Sequence, residues 1–327
     1  MSVARVPLTV LTGFLGSGKT TILKHALRDP ALAGTAVIVN EVGAVGLDHD
    51  LLESAEEDLV ALSTGCLCCA VRGDLSRTIG DLLARRAAGQ IAFERLVIET
   101  SGLADPAPIV QALALNEVLS RQVQLARIVT TIDALTGPLS LVNHPEARKQ
   151  AAFADMLVLT KSDLAATQPA ATAARRLNAN AAMVTTQRGR LDPAYLLPPD
   201  QPSEALAETL ARTEDSAAEH PEGIATVTLV RSEPVPAIAL TLFLEALAEA
   251  CGPDLLRVKG LVHIAEAPET PAVVHGVQHV FHALEWLDAW PGGDRNTRMV
   301  FIGRHLMPGW PRLLLSQIER EVAAASS

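Results

Sequence analysis

Gly13-Phe14-Leu15-Gly16-Ser17-Gly18-Lys19-Thr20 follows the apolar run Val6–Leu11 and opens a helix-compatible stretch, Thr20–Arg28. The octet fits G-x-x-x-x-G-K-[ST], and a strand before it with a helix after it is the setting that pattern needs. An ordinary glycine-rich turn is the alternative, and that flanking pattern weighs against it. The glycines let the backbone curl so that successive N–H groups converge on phosphate oxygens. The helix N-terminus adds its positive dipole end. Lys19 is spaced to reach the β- and γ-phosphates, and the Thr20 hydroxyl to complete the shell of a Mg²⁺ ion. Gly13, Gly16, Ser17, Gly18, Lys19, Thr20 and Thr21 are thus candidate phosphate-binding residues for a nucleoside triphosphate, with Lys19 also a candidate catalytic group.

Outward from this loop, strand-like and helix-like segments alternate. Val6–Leu11, Ala36–Asn40, Arg95–Glu99, Arg127–Asp133, Met156–Thr160 and Ala182–Thr185 are mostly Val/Ile/Leu runs, as strands buried on both faces of a parallel sheet are. Between them lie the helix-compatible Leu75–Ala88, Ile109–Leu119 and Ala171–Leu177. The alternation predicts an α/β fold, a P-loop domain with a doubly wound, mostly parallel sheet over residues 1–197. Residues 198–223 hold four prolines, seven acidic residues and one arginine, and are expected to form an exposed linker with one short helix begun at Ser203. From residue 224 to 327 a smaller α+β domain is expected: a strand at Ala225–Arg231, a helix at Ala237–Ala250, strands near Leu255–Ala265, Ala272–His279 and Thr297–Gly303, and a helix after Pro308.

Composition excludes several classes. Of 327 residues, 27 are Lys or Arg and 37 Asp or Glu, a net charge of −10, and only 3% are aromatic. Neither a broad footprint for nucleic acid or anionic membrane nor a base-stacking platform fits these values. No apolar stretch is long enough for a membrane span, and the N-terminal apolar run leads into the glycine loop instead of a cleavage site, so no signal peptide is expected. Three of the four cysteines, Cys66, Cys68 and Cys69, fall within four residues and Cys251 stands apart. That is not a disulfide framework; it suits a reduced metal-binding or redox cluster in a cytoplasmic protein.

Two further segments bear on the nucleotide. Leu96-Val97-Ile98-Glu99-Thr100-Ser101-Gly102 is an apolar strand ending in an acid and a small-residue turn. After a phosphate loop, such an acid stands beside Mg²⁺ and the glycine can sense the γ-phosphate, making Glu99 a candidate catalytic residue and Gly102 a nucleotide contact. Leu157-Val158-Leu159-Thr160-Lys161-Ser162-Asp163 resembles the N-K-x-D base-recognition motif of GTPases, with Thr160 in place of Asn. An Asp163 carboxylate accepts from guanine N1–H and the exocyclic amine, which adenine cannot offer, and Lys161 can lay its stem over the base, so GTP is favoured over ATP.

Gly65-Cys66-Leu67-Cys68-Cys69-Ala70 is expected to be a loop whose thiolates suit Zn²⁺ or another soft divalent ion. Thiols this close have poor geometry for disulfides with one another. An acid, a histidine or water is left to fill the fourth position. Buried inert cysteines are the plainer alternative.

Taken together, these motifs resemble the CobW-like P-loop GTPases, which include proteins associated with cobalamin synthesis, nitrile-hydratase activators and zinc metallochaperones. GFLGSGKT, Asn40-Glu41-x-Gly43, GCLCC as a C-x-C-C motif, ETSGLADP and TKSD occur in that family's order, and LLRVKGLVHIAE, VVHGVQHVF and RMVFIGRHL resemble its C-terminal domain. The resemblance implies a GTP-hydrolysing metallochaperone that couples metal binding at C-x-C-C to GTP and passes the metal to a client apo-metalloprotein. It also implies a partner-facing second domain. Family members often carry a second Glu where Ala44 stands here, so Glu41, Asp48, His49 or water must supply the remaining ligand. No His-rich stretch is present; His275, His279 and His282 form a loose group expected to be structural. A P-loop small-molecule kinase or ATPase, and a nucleotide-gated scaffold with a structural zinc, are the competing functions. The client, the physiological metal and self-association into a homo-oligomer are not legible in the residues.

Overall fold

A computed structural model describes residues 5–40, 59–61, 67–70, 75–197, 210, 217–219, 224–252, 254–291 and 294–325. These fall into two compact units, the first within Met1–Arg175 and Ala181–Asp200, the second within Arg176–Asn180 and Gln201–Ser327.

The first unit runs β1 (Val6–Gly13), α1 (Lys19–Ala26), β2 (Thr35–Asn40), β3 (Leu59–Ala61), β4 (Leu67–Ala70), α2 (Leu75–Ala87), β5 (Arg95–Thr100), α3 (Ala107–Leu115), α4 (Glu117–Gln122), β6 (Val123–Asp133), α5 (Gly137–Asn143), α6 (Pro145–Phe153), β7 (Met156–Thr160), α7 (Gln168–Leu177, whose last two residues are counted with the second unit) and β8 (Ala182–Thr185). Its sheet has the order β3-β4-β2-β5-β1-β6-β7-β8, parallel throughout except that β3 pairs antiparallel to β4. All six strands expected from the apolar runs are present. Leu8, Val10, Leu11, Leu96, Val97 and Ile98 are fully buried, since helices cover both faces. Ile22 and Leu23 of α1 pack with Leu11, Val37, Val97 and Val129 on one face, and α3, α4 and α6 lie against β6 on the other. Because the strands are parallel, the carboxyl ends of β1, β5, β6 and β7 share one edge, where open α/β sheets bind their ligands.

Three local expectations are corrected. The helix expected over Ile109–Leu119 is two helices, broken at Asn116, whose Oδ1 accepts from the Val118 and Leu119 N–H groups at 3.0 and 3.1 Å and so caps a new helix start. The cysteine segment is not a loop: Leu67–Ala70 is strand β4, because pairing with β2 on one side and β3 on the other decides its backbone. Part of the expected linker, Ala217–Glu219, is an edge strand in the second unit (β9). Main-chain pairing suffices there, with no strand-forming sequence. The short helix expected from Ser203 begins outside the described residues.

The second unit continues with β10 (Ile224–Arg231), α8 (Ala237–Cys251), β11 (Leu255–Ile264), β12 (Ala267–Val277), β13 (Val280–Phe281), β14 (Glu285–Trp286), β15 (Thr297–Arg304) and α9 (Trp310–Ala325). Its antiparallel sheet has the order β13-β12-β11-β15-β10-β9, with β14 beside β12. Alternation along the strands sends Val227, Leu229, Val258, Val262, Met299 and Phe301 to one face, where Leu240, Phe243 and Leu247 of α8 and Leu315 of α9 close the core. Phe243 meets Phe301 edge to face, ring centroids 6.1 Å apart. His275 and His282 lie with ring centroids 6.5 Å apart. Burial, and then the nearby Arg257 guanidinium, push His275 down to about 4, so it is neutral at pH 7. Among the described residues no helix is long and apolar enough to cross a membrane.

Candidate functional site

The phosphate loop is shaped by its glycines. Gly13, Gly16 and Gly18 have φ of 144°, 69° and 98°, conformations that residues with a Cβ rarely take. A Cβ on Gly13 would stand 2.5 Å from the Thr131 carbonyl oxygen, so the strand end can approach β6 only as glycine. Ser17 and Thr131 share a hydroxyl hydrogen bond of 2.6 Å beneath the loop. Lys19 is buried, its Nζ donating to the Gly13 and Phe14 carbonyls at 2.8 and 3.2 Å.

Glu99 is brought to this loop by sheet register. It pairs with Leu11 of β1 on one side and Val39 of β2 on the other. Its carboxylate is buried, 4% exposed, and Oε1 accepts from the Thr20 hydroxyl at 2.5 Å. Two hard oxygen donors thus converge beside Lys19, a donor set that fits Mg²⁺. Gly16, Gly18, Lys19, Thr20, Thr21, Glu99 and Gly102 line one cleft of about 230 Å³. Gly102 presses on the loop itself: a Cβ there would lie 2.8 Å from the Leu15 Cα and N atoms. Gly102→Ala should therefore displace the loop or the 102–105 segment, slowing hydrolysis about tenfold or more, because small misplacements at a reacting centre are costly. Steady-state phosphate release checks this; wild-type turnover in that variant contradicts it.

The TKSD segment ends β7 at the same edge. Thr160, buried, donates through Oγ1 to the Ser17 carbonyl at 2.7 Å, so the residue that departs from the GTPase motif ties the base-side segment to the phosphate loop. Lys161 adopts φ 55° and its Nζ lies 3.8 Å from Asp133 Oδ1. Asp133 is itself fixed by the Leu135 and Thr136 N–H groups and the Thr136 hydroxyl. Asp163 accepts from the Arg188 backbone N–H at 3.3 Å, with the Arg188 Nε 3.8 Å away. Arg188 also has positive φ, 51°, and Gly189 after it packs on Thr21 of α1, where a Cβ would come within 2.6 Å of the threonine methyl. Left-handed non-glycine residues on both sides of Asp163 are the kind of backbone strain that gathers at ligand sites.

Asp133, Thr131 and Arg188 escaped the sequence reading. Asp133 and Thr131 carried a signal of a kind, since both stand at the carboxyl end of an expected strand; Arg188, in a turn after β8, carried none.

The candidate metal ligands are only partly within view. Cys66 and Glu41, like Asp48 and His49, lie outside the described residues, and Cys68 and Cys69 are described by backbone alone. In β4, Cys69 pairs with Ile38, which pairs in turn with Ile98 of β5. Cys69 is therefore level with the residue before Glu99, two strand spacings away, or about 10 Å.

A strand, glycine loop and helix with a buried acid on the neighbouring parallel strand define a P-loop nucleotide-binding protein. Residues 7–187 match the model of the CobW/HypB/UreG nucleotide-binding domain, and residues 224–318 that of the cobalamin synthesis protein cobW C-terminal domain. The chain belongs to the CobW family. It is 32% identical over 305 residues to the zinc chaperone YjiA of Escherichia coli K12, covering 92% of this chain and 95% of that one. It is 30% identical over 344 residues to the zinc chaperone CobW of Pseudomonas aeruginosa, covering 93% and 89%. The crystal structure of Zn(II)-bound YjiA GTPase from E. coli superposes with a TM-score of 0.74 at 28% identity, covering 97% of this chain and 99% of that one.

Proposed function

We propose that this chain is a GTP-hydrolysing metallochaperone. It takes up Zn²⁺, or a similar divalent ion, as cargo on Cys66, Cys68 and Cys69 with Glu41 as a fourth ligand, and delivers it to a client apo-metalloprotein in the cytoplasm. In this reading residues 1–197 are the nucleotide-binding domain, 198–223 the connector and 224–327 the partner-facing domain. The observation that carries it is a shared neighbour in the sheet: the strand that holds Cys68 and Cys69 and the Glu99 strand flank the same β2. Nearly full-length similarity to proteins named zinc chaperones supports it.

The chemistry follows from charge. Water attacks the γ-phosphorus, the bond to the β–γ bridging oxygen breaks, and charge builds on the departing GDP. Lys19 swings from the Gly13 and Phe14 carbonyls to meet that charge; its buried ammonium acts in a low dielectric, where it counts for more than in water. Thr20 and Glu99 would hold Mg²⁺, which when bound would further neutralise the phosphate charge. Gly102, against the loop, meets the γ-phosphate and reports its presence to the rest of the segment.

Base choice tests this reading. Asp163 accepts two donors from guanine, whereas the amide of Asp163→Asn sets a donor against one of them. Competition binding should show wild-type protein preferring GDP to ADP, and the variant losing that preference by about tenfold or more. Equal binding of GDP and ADP by the wild type contradicts the guanine assignment.

A further inference from the structure

The segment that follows Glu99 is gripped from two sides. Gly102 lies against the phosphate loop, and α6 holds the same residues from behind. Gln150 of α6 is fully buried, and its Nε2 donates to the Gly102 carbonyl at 3.2 Å and the Ala104 carbonyl at 2.9 Å. On the neighbouring position of the helix, Lys149 pairs with Asp105 at 2.8 Å. The peptide between Gly102 and Leu103 is clamped at both ends, because the Leu103 N–H donates to Ser101 Oγ at 3.3 Å. At the start of α6, His144 stacks on Phe14 of the phosphate loop, ring centroids 4.4 Å apart. One helix therefore bears on the phosphate loop and on the segment expected to sense the γ-phosphate.

Gln150 is poorly explained by packing. Its Oε1 is buried with no hydrogen-bond partner among the described residues, a costly state that an apolar side chain of equal length avoids. Turning the amide over would be worse, since it would set Oε1 against two carbonyl oxygens. The Gln150 main-chain carbonyl is itself fixed, accepting from Thr130 Oγ1 of β6 at 2.8 Å, so the side chain is aimed from a rigid base. What the amide accomplishes is to fix the Gly102 and Ala104 carbonyls of the segment that carries Gly102 into the cleft.

We infer that Gln150 is a positioning residue for the nucleotide switch: it holds Gly102 where a γ-phosphate is met, and so sets how strongly the protein distinguishes GTP from GDP. The inference rests on the guanine-nucleotide function proposed above and adds a residue to it. Gln150→Met keeps length and apolar packing but removes the donor. Isothermal titration with GDP and with a non-hydrolysable GTP analogue should show the analogue weakened about tenfold, with GDP within twofold of wild type. A residue that merely props up the fold would move both affinities together, or neither. That pattern, or a selective loss of GDP, overturns the inference. Should Gln150→Met fail to fold, Gln150→Leu, a smaller apolar side chain that also lacks the donor, carries the same expectation with the same direction. Wild-type protein that binds neither guanine nucleotide overturns the function itself. Wild type that binds both, with variants that do not separate them, overturns only the role of Gln150.

Discussion

Lys19→Ala should slow GTP hydrolysis by about 10²–10³-fold, the range seen when a single preorganised charge-stabilising group is removed from a water-poor site. Lys19 is 7% exposed, so its ammonium is already desolvated when it leaves the loop carbonyls for a phosphate. The carbonyls of Gly13 and Phe14 that it leaves behind directly precede Leu15 and Gly16, which line the cleft, and water entering the vacated space can replace it. The variant should therefore keep its melting temperature within a few degrees of wild type, separating lost chemistry from lost fold. Single-turnover hydrolysis with thermal melting on the same preparation makes the measurement. Hydrolysis near the wild-type rate in a folded variant would remove Lys19 from the chemistry.

Much of this site was legible in the residues because each element is local. A glycine loop between a strand and a helix needs only its own spacing to be read, and Glu99 and Thr160 each end an apolar run at the sheet edge where parallel strands deliver their carboxyl ends. What was not legible depends on partners distant in the chain. Thr160 reads in the sequence only as a departure from the Asn of the motif, whereas in the fold its hydroxyl donates to the Ser17 carbonyl. Gln150 lies within Pro145–Phe153, a stretch with no motif, and its meaning comes only from the carbonyls of Gly102 and Ala104. The cysteine segment reads as a loop because three cysteines beside a glycine have no strand periodicity; over Leu67–Ala70, strand pairing on both sides overrides that local signal. The break at Asn116 is the converse case: a capping residue inside an apolar stretch was available to be read, and the hydrophobic run obscured it.

Replacing Cys66, Cys68 and Cys69 together by alanine is expected to have the second large effect. With all three soft donors gone, only Glu41 of the proposed set and water are left, a set suited to harder ions. Zinc affinity should fall by a factor on the order of 10³ or more, since even the loss of a supporting contact to a metal ligand costs about 10–100-fold. Metal-free hydrolysis should persist in this variant, because Lys19, Thr20 and Glu99 are untouched. A competing chelator, titrated against wild type and variant, measures the loss. Unchanged zinc affinity would mean that the cysteines are packing residues.

The central claim is that metal and nucleotide are coupled through the sheet edge that β4, β2 and β5 share. Reciprocity makes it measurable from either side, since a nucleotide that changes zinc affinity has its own affinity changed by zinc to the same extent. The direct measurement is the zinc dissociation constant of the wild-type protein, by chelator competition, once with GDP and once with a non-hydrolysable GTP analogue. About one tight zinc per chain is expected, with a difference between the two states of about 5–150-fold, the usual size of such coupling. Identical dissociation constants in the two states would contradict it, leaving a structural metal and no means for GTP to release it.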